Sequence, residues 1–157
     1  MAEPQRRRND AQPARSQILG PTPGGLGPPD PEGARRSLEL AIATARRVRR
    51  AITLVALEVP PPVDERALEQ VASLVRRTVR DTDALWRDGS ASLILLLTDA
   101  DGPNSEPALA RLRLRLRSEG FGAVRMGRAA AAPGIGAPDL LALAREDRRA
   151  ISYRAPR

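Results

Sequence analysis

The sequence has no cysteine, no histidine and no lysine, and its 157 residues include only one Trp, one Tyr and one Phe. Each absence excludes something. Without Cys and His there is no disulfide framework, thiolate nucleophile, imidazole base or Cys/His zinc site. Without Lys there is neither Schiff-base chemistry nor the lysine of a P-loop. The scarcity of aromatics removes the platforms on which single-stranded bases stack. No segment approaches the ~20 apolar residues of a membrane span. Residues 1–17 are polar and lack the apolar stretch of a signal peptide. A cytoplasmic protein without membrane attachment is therefore expected, with carboxylates, hydroxyls, guanidinium groups and backbone as its chemical repertoire.

All 26 positive charges are Arg, against 19 Asp and Glu, for a net charge of +7. Their distribution matters more than their sum. Residues 1–50 hold ten Arg and five acids, and residues 51–157 hold sixteen Arg and fourteen acids, so the surplus is five in the first part and two in the second. A body so close to neutral argues against nucleic acid as the main partner. Duplex or RNA binding would fall to the N-terminal Arg residues.

The length and the 41% hydrophobic content suffice for one domain and not for two. Residues 1–32 contain seven Pro and four Gly among polar residues. They cannot bury enough apolar surface to offset their ordering entropy, so a disordered tail is expected there, with the folded domain over 33–157. Leu38, Ile42, Ala45 and Val48 predict a helix over about 33–50. The apolar run Ile52–Val59 predicts a central strand covered on both faces. Asp64 can cap a helix whose stripe is Leu68, Val71, Val75 and Val79, reaching about Arg80.

Asp83–Arg87, Asp88-Gly89 and Ser92–Thr98 read as strand, tight turn and strand. Residues 104–119 carry two conflicting signals. Arg111-Leu-Arg-Leu-Arg-Leu-Arg117 alternates as a strand would, whereas Asn104 or Ser105 as cap, Pro107 in the first turn and Gly120 after the end favour a helix. The capping signals decide for a helix, with Arg111, Arg113, Arg115 and Arg117 on its solvated surface and one of them available as a secondary ligand Arg. Phe121–Arg128 and Ala129–Ala132 supply further strand, Gly134-Ile-Gly136 a turn, and Asp139 the start of a last helix to about Ala150. Asp99, Asp101 and Gly102 are expected in a loop, and Trp86 in the core. The order predicts an α+β fold with a ferredoxin-like, palm-type antiparallel sheet, βαββαβ, and two flanking helices over its other face.

At this point the chain resembles the GGDEF domains, the catalytic modules of diguanylate cyclases. Their signature, Arg-Tyr-Gly-Gly-Asp/Glu-Glu-Phe before an apolar strand, matches in place Arg87-Asp-Gly-Ser-Ala-Ser-Leu93 before Ile94–Leu97. Asp30-Pro-Glu-Gly-Ala-Arg-Arg36, Leu54–Val59 and Leu140–Ala144 resemble the family's opening segment, first strand and last helix. The resemblance runs from about Asp30 to Tyr153. It implies a GGDEF-like fold and a degenerate signature at Gly89, Ser90, Ala91, Ser92 and Leu93. Cyclases of the family hold Mg²⁺ and GTP phosphates with two carboxylates. Glu58 can stand for the first, but Ala91 and Ser92 stand where the signature acids belong. The guanine-reading segment after the first strand is also missing, since Pro60-Pro-Pro-Val-Asp64 leads straight into a helix. No cyclase activity and no magnesium cofactor are expected.

Many members of the family carry an Arg-x-x-Asp product site five residues before the signature, which binds cyclic di-GMP. Arg80-Asp-Thr-Asp83 has that internal spacing and that offset from Gly89. The resemblance thus implies a cyclic di-GMP site in which Arg80 grips phosphate or guanine acceptors and Asp83 accepts from guanine N–H groups. The same residues also suit a purely structural role: an Arg favours a helix C-terminus, and an Asp can fix a turn by accepting backbone amides. Two functions follow as the main alternatives, a non-catalytic cyclic di-GMP receptor or a protein interaction module, free of any nucleotide, that binds another protein or a second copy of the chain; residual cyclase chemistry through Glu58 is a third, lesser alternative.

Overall fold

The computed structural model describes residues 30–152, with side chains as far as Arg148. The expected tail therefore lies outside the described residues as far as residue 29. Helix α1 spans Pro31–Arg47. It begins earlier than its apolar stripe, because the Asp30 carboxylate accepts a hydrogen bond from Gly33 N (2.9 Å) and Pro31 fits the first turn. It ends before residue 50, where Arg49 takes a positive φ of 54°. Strand β1, Ile52–Glu58, follows. Asp64 caps α2, Glu65–Thr78, accepting from Ala67 N at 2.7 Å. Val79 leaves the helix in an extended conformation, so α2 stops two residues short of Arg80.

Strands β2 (Ala84–Arg87) and β3 (Ser92–Thr98) form the hairpin. Its connection is wider than the two-residue turn that Asp88-Gly89 suggested. Arg87 pairs with Leu93, leaving residues 88–92 between them, and Gly89 is not among the positive-φ glycines.

Helix α3, Gly102–Ser118, resolves the ambiguous Arg/Leu segment. Leu109, Leu112 and Leu116 are buried at helical spacing while Leu114 is 67% exposed, a pattern no strand would give. Its cap is neither Asn104 nor Ser105. Asp101 accepts from Asn104 N at 2.8 Å, so Asp101 and Gly102 open the helix instead of lying in a loop. Strand β4 is confined to Arg125–Ala130. Phe121–Val124, expected as strand, is a turn in which Phe121 N donates to Leu116 O (2.7 Å) and Val124 N to Phe121 O (3.1 Å). Gly134 takes a positive φ in the turn before α4, Ala137–Ser152, which starts two residues ahead of Asp139.

The sheet order is β2-β3-β1-β4 with every neighbouring pair antiparallel, which completes the expected βαββαβ arrangement. Strand β1 is central, and its continuous apolar run serves two cores. Val55 and Leu57 face α2 and α3 with Leu85, Leu95 and Met126. Ile52, Leu54 and Ala56 face α1 and α4 with Trp86, Ile94 and Leu140. Fully burying each such Leu or Ile contributes about 1.5 to 3 kcal/mol relative to exposure.

On the β4 side, strand and helix meet backbone to backbone. A Cβ on Gly127 would lie 2.0 Å from Arg148 N and 2.2 Å from Ala144 O. Asp147 of α4 also accepts from Arg128 N (2.8 Å), occupying an amide on the edge of the sheet. Gly127→Ala must push α4 off the sheet. A loss of about 1 to 3 kcal/mol is expected, the usual range for overpacking, read as a lower urea midpoint at unchanged slope.

Candidate functional site

The connection between β2 and β3 sits beside the end of β1. Glu58 pairs with Ser92 across the sheet, Val59 N donates to Ala91 O (2.8 Å), and Asp88 N and Gly89 N both donate to Ser92 O (2.9 and 3.3 Å). Residues Gly89–Leu93, matched in sequence to the place of the signature, and Glu58 are thus brought together. Leu93 is buried in the strand, and Ser92 opens it.

Three ion pairs surround this loop. The buried Arg87 guanidinium donates Nη1 to Glu65 Oε2 (2.8 Å), Nη2 to Glu65 Oε1 (2.5 Å) and Nε to Gly89 O (3.0 Å), tying the hairpin to the first residue of α2. Arg145 of α4 donates to Asp88 (2.5 Å). Arg148, one turn further along α4, places Nε 3.5 Å from Glu58 Oε2. Sequence reading assigned no role to Glu65, Arg145 or Arg148. The signal was the three-residue spacing of the two Arg, which sets them on one helix face, but only the packing of α4 shows what that face meets. Among the described residues no group of three or more acids is arranged to hold a metal ion.

Arg80 and Asp83 lie at the other end of the hairpin strands. Asp83 Oδ2 accepts from Arg80 N (2.9 Å), and Oδ1 accepts from Thr98 N (2.9 Å) with the Thr98 hydroxyl at 3.3 Å. The carboxylate therefore fixes the turn from α2 into β2 and pins it to the end of β3. The exposed Arg80 side chain forms no hydrogen bond or ion pair with the described residues. It lines a cleft of about 420 Å³ together with Asp83, Thr98, Asp99, Asn104 and Arg111. Arg111, from α3, is exposed and likewise unpaired among the described residues, so the fold sets two Arg residues and Asp83 around one opening.

No family model matches the sequence, and no curated protein matches it. Solved structures do. The GGDEF domain of DgcB from Caulobacter crescentus, crystallised in complex with c-di-GMP, superposes with a TM-score of 0.71 at 16% identity, over 84% of this chain and 90% of that one. The GGDEF domain of FimX from Pseudomonas aeruginosa gives 0.71 at 17% identity, over 87% and 96%. The fold is that of a GGDEF domain. A third GGDEF relative in structure, the diguanylate cyclase SiaD from Pseudomonas aeruginosa in complex with its activator SiaC, gives 0.71 at 18% identity over 88% of this chain and 59% of that one. Within this GGDEF-like frame, no helix among the described residues is long and apolar enough to cross a membrane.

The Arg87 hydrogen bonds hold the Glu65 carboxyl below its ordinary value of 4.5, outweighing the opposing effect of desolvation. A depressed carboxyl pKa contributes stability that is complete above the unfolded value and is lost as pH falls through the folded one. Wild type should therefore lose more stability than Glu65→Gln between about pH 5 and about pH 3, measured by denaturant titration at each pH. Equal slopes for the two proteins would remove the Glu65–Arg87 pair from the stability of the hairpin.

Proposed function

We propose that this GGDEF-like domain is a non-catalytic receptor for cyclic di-GMP, with the ligand held in the cleft between Arg80, Asp83 and Arg111. The observation that carries the reading is the pair of exposed, unpaired residues Arg80 and Arg111 lining one 420 Å³ opening. Two Arg forks can each grip a phosphate or a guanine edge bidentately, which suits a ligand with two phosphodiesters and two guanines. Asp83 positions Arg80 through its backbone amide and keeps an acceptor position for a guanine N–H. The DgcB domain, similar in fold, was crystallised with this dinucleotide, which lends the reading further support.

The absence of catalysis is read from the donor set. Ala91 and Ser92 offer no carboxylate to a divalent cation. Glu58 and Asp88, the acids nearest the loop, are engaged by Arg148 and Arg145. A magnesium ion would meet guanidinium groups where the cyclase chemistry needs paired acids, so the residues present do not fit the metal.

A second reading, a protein interaction module with no nucleotide ligand, is favoured by the hydrogen bonds of Asp83. They account for the Arg-x-x-Asp pattern as a turn lock without any ligand. SiaD, in complex with its activator, is a structural relative that has a protein partner.

Titration calorimetry separates the two. On the receptor reading, cyclic di-GMP binds the full chain, and Arg80→Ala or Arg111→Ala weakens it about ten- to a hundredfold, the equivalent of a charge-assisted hydrogen bond of roughly 1.5 to 3 kcal/mol. No heat at high-micromolar dinucleotide rejects the receptor and leaves the interaction module. Incubation with GTP and Mg²⁺ or Mn²⁺ should yield no cyclic di-GMP; product formation would overturn the non-catalytic assignment.

A further inference from the structure

Charge on the folded body is far more segregated than its near-neutral sum suggests. Residues 111–128 contain six Arg and one acid, Glu119, a surplus of five; residues 30–110 and 129–152 together contain fourteen Arg and sixteen acids, a deficit of two. That basic segment is the second half of α3, the turn after it and the start of β4. It encloses a cleft of about 490 Å³, separate from the Arg80 cleft and reached from the opposite end of α3.

The floor of this cleft is apolar, made of the buried Leu116 and Met126 with the half-buried Phe121 and Val124. Its rim is Arg113, Arg117 and Arg125. Arg113 shares Glu106 with Arg128, whereas Arg117 and Arg125 have no ion pair among the described residues. We infer that this cleft docks an acidic segment of a partner protein that carries one large apolar side chain. The anchor would fill the floor and exclude water, and flanking carboxylates would meet the arginine rim. Nucleic acid fits less well: the surrounding body is net negative, and a single Phe121 gives no succession of stacking surfaces.

The inference does not depend on dinucleotide binding and is tested without it. The probe is an acetylated peptide, Glu-Asp-Glu-Phe-Asp-Glu, titrated into the full ¹⁵N-labelled chain. A control peptide has Ser in place of Phe, and a short oligo-thymidylate serves as the nucleic-acid arm. Amide shifts confined to residues 113–126 are expected. Affinity should fall about tenfold or more both for the Ser peptide and for the double variant Arg117→Glu, Arg125→Glu, whose unchanged dispersion elsewhere shows that it still folds. Shifts absent at about 1 mM peptide would overturn the assignment. So would equal affinity for the two peptides, which would leave charge alone, or tighter binding of the oligonucleotide at the same residues.

Discussion

Everything in this domain is organised by one strand that must be dry on both faces. Strand β1 is hydrogen-bonded to β3 on one side and β4 on the other, and its side chains alternate between two separate cores. A strand in that position cannot shift by one residue without exchanging the contents of both cores, so its register is strongly fixed. That register sets Glu58 opposite Ser92 and thereby places the hairpin loop beside the carboxylate that ends β1. It also sets the β2–β3 hairpin so that Asp83 reaches the far end of β3 at Thr98. Both ends of the β2–β3 hairpin are placed by the same ladder.

At the loop end, charge is arranged by pairing acids with Arg and not with other acids. Glu65, Asp88 and Glu58 are each matched to a guanidinium group, from β2 in the first case and from α4 in the other two. Such pairs contribute modestly where they are exposed, since side-chain entropy and solvent screening offset much of the Coulomb attraction. The Arg87 pair differs because the guanidinium is only 4% exposed while its partner is 67% exposed. A buried charge without partners is costly, so the hydrogen bonds to Glu65 and Gly89 O are what permit Arg87 to lie under the loop. The hairpin is held as a structural element whether or not anything binds it.

Helix α3 connects two surfaces of different character. Its middle contributes Arg111 to the cleft with Arg80, and its C-terminal end contributes Arg113 and Arg117 to the basic cleft above Leu116. The helix has a narrow apolar stripe, Leu109, Leu112 and Leu116, and every other turn position is free to carry charge. Alternating Arg and Leu in sequence thus becomes, on a helix, one buried row flanked by guanidinium groups on both sides, with Leu114 left outside.

The amino-acid sequence by itself determined the element types, their order and the sandwich of helices about a central strand, because apolar periodicity and capping residues act locally. Asp64 before an apolar stripe, or an unbroken run from Ile52, carries that information without reference to the rest of the chain. Local signals failed where a neighbouring element chose the outcome. Phe121–Val124 has the composition of a strand but is held as a turn by Leu116 O, and Asp101 outcompetes Asn104 and Ser105 for the cap. The Arg80, Asp83 and Ser92 positions were legible from spacing. Only the tertiary structure brought Arg111 to Arg80, Arg145 to Asp88 and Arg148 to Glu58, since those groups are far apart along the chain and meet only when α3 and α4 close over opposite faces of one sheet.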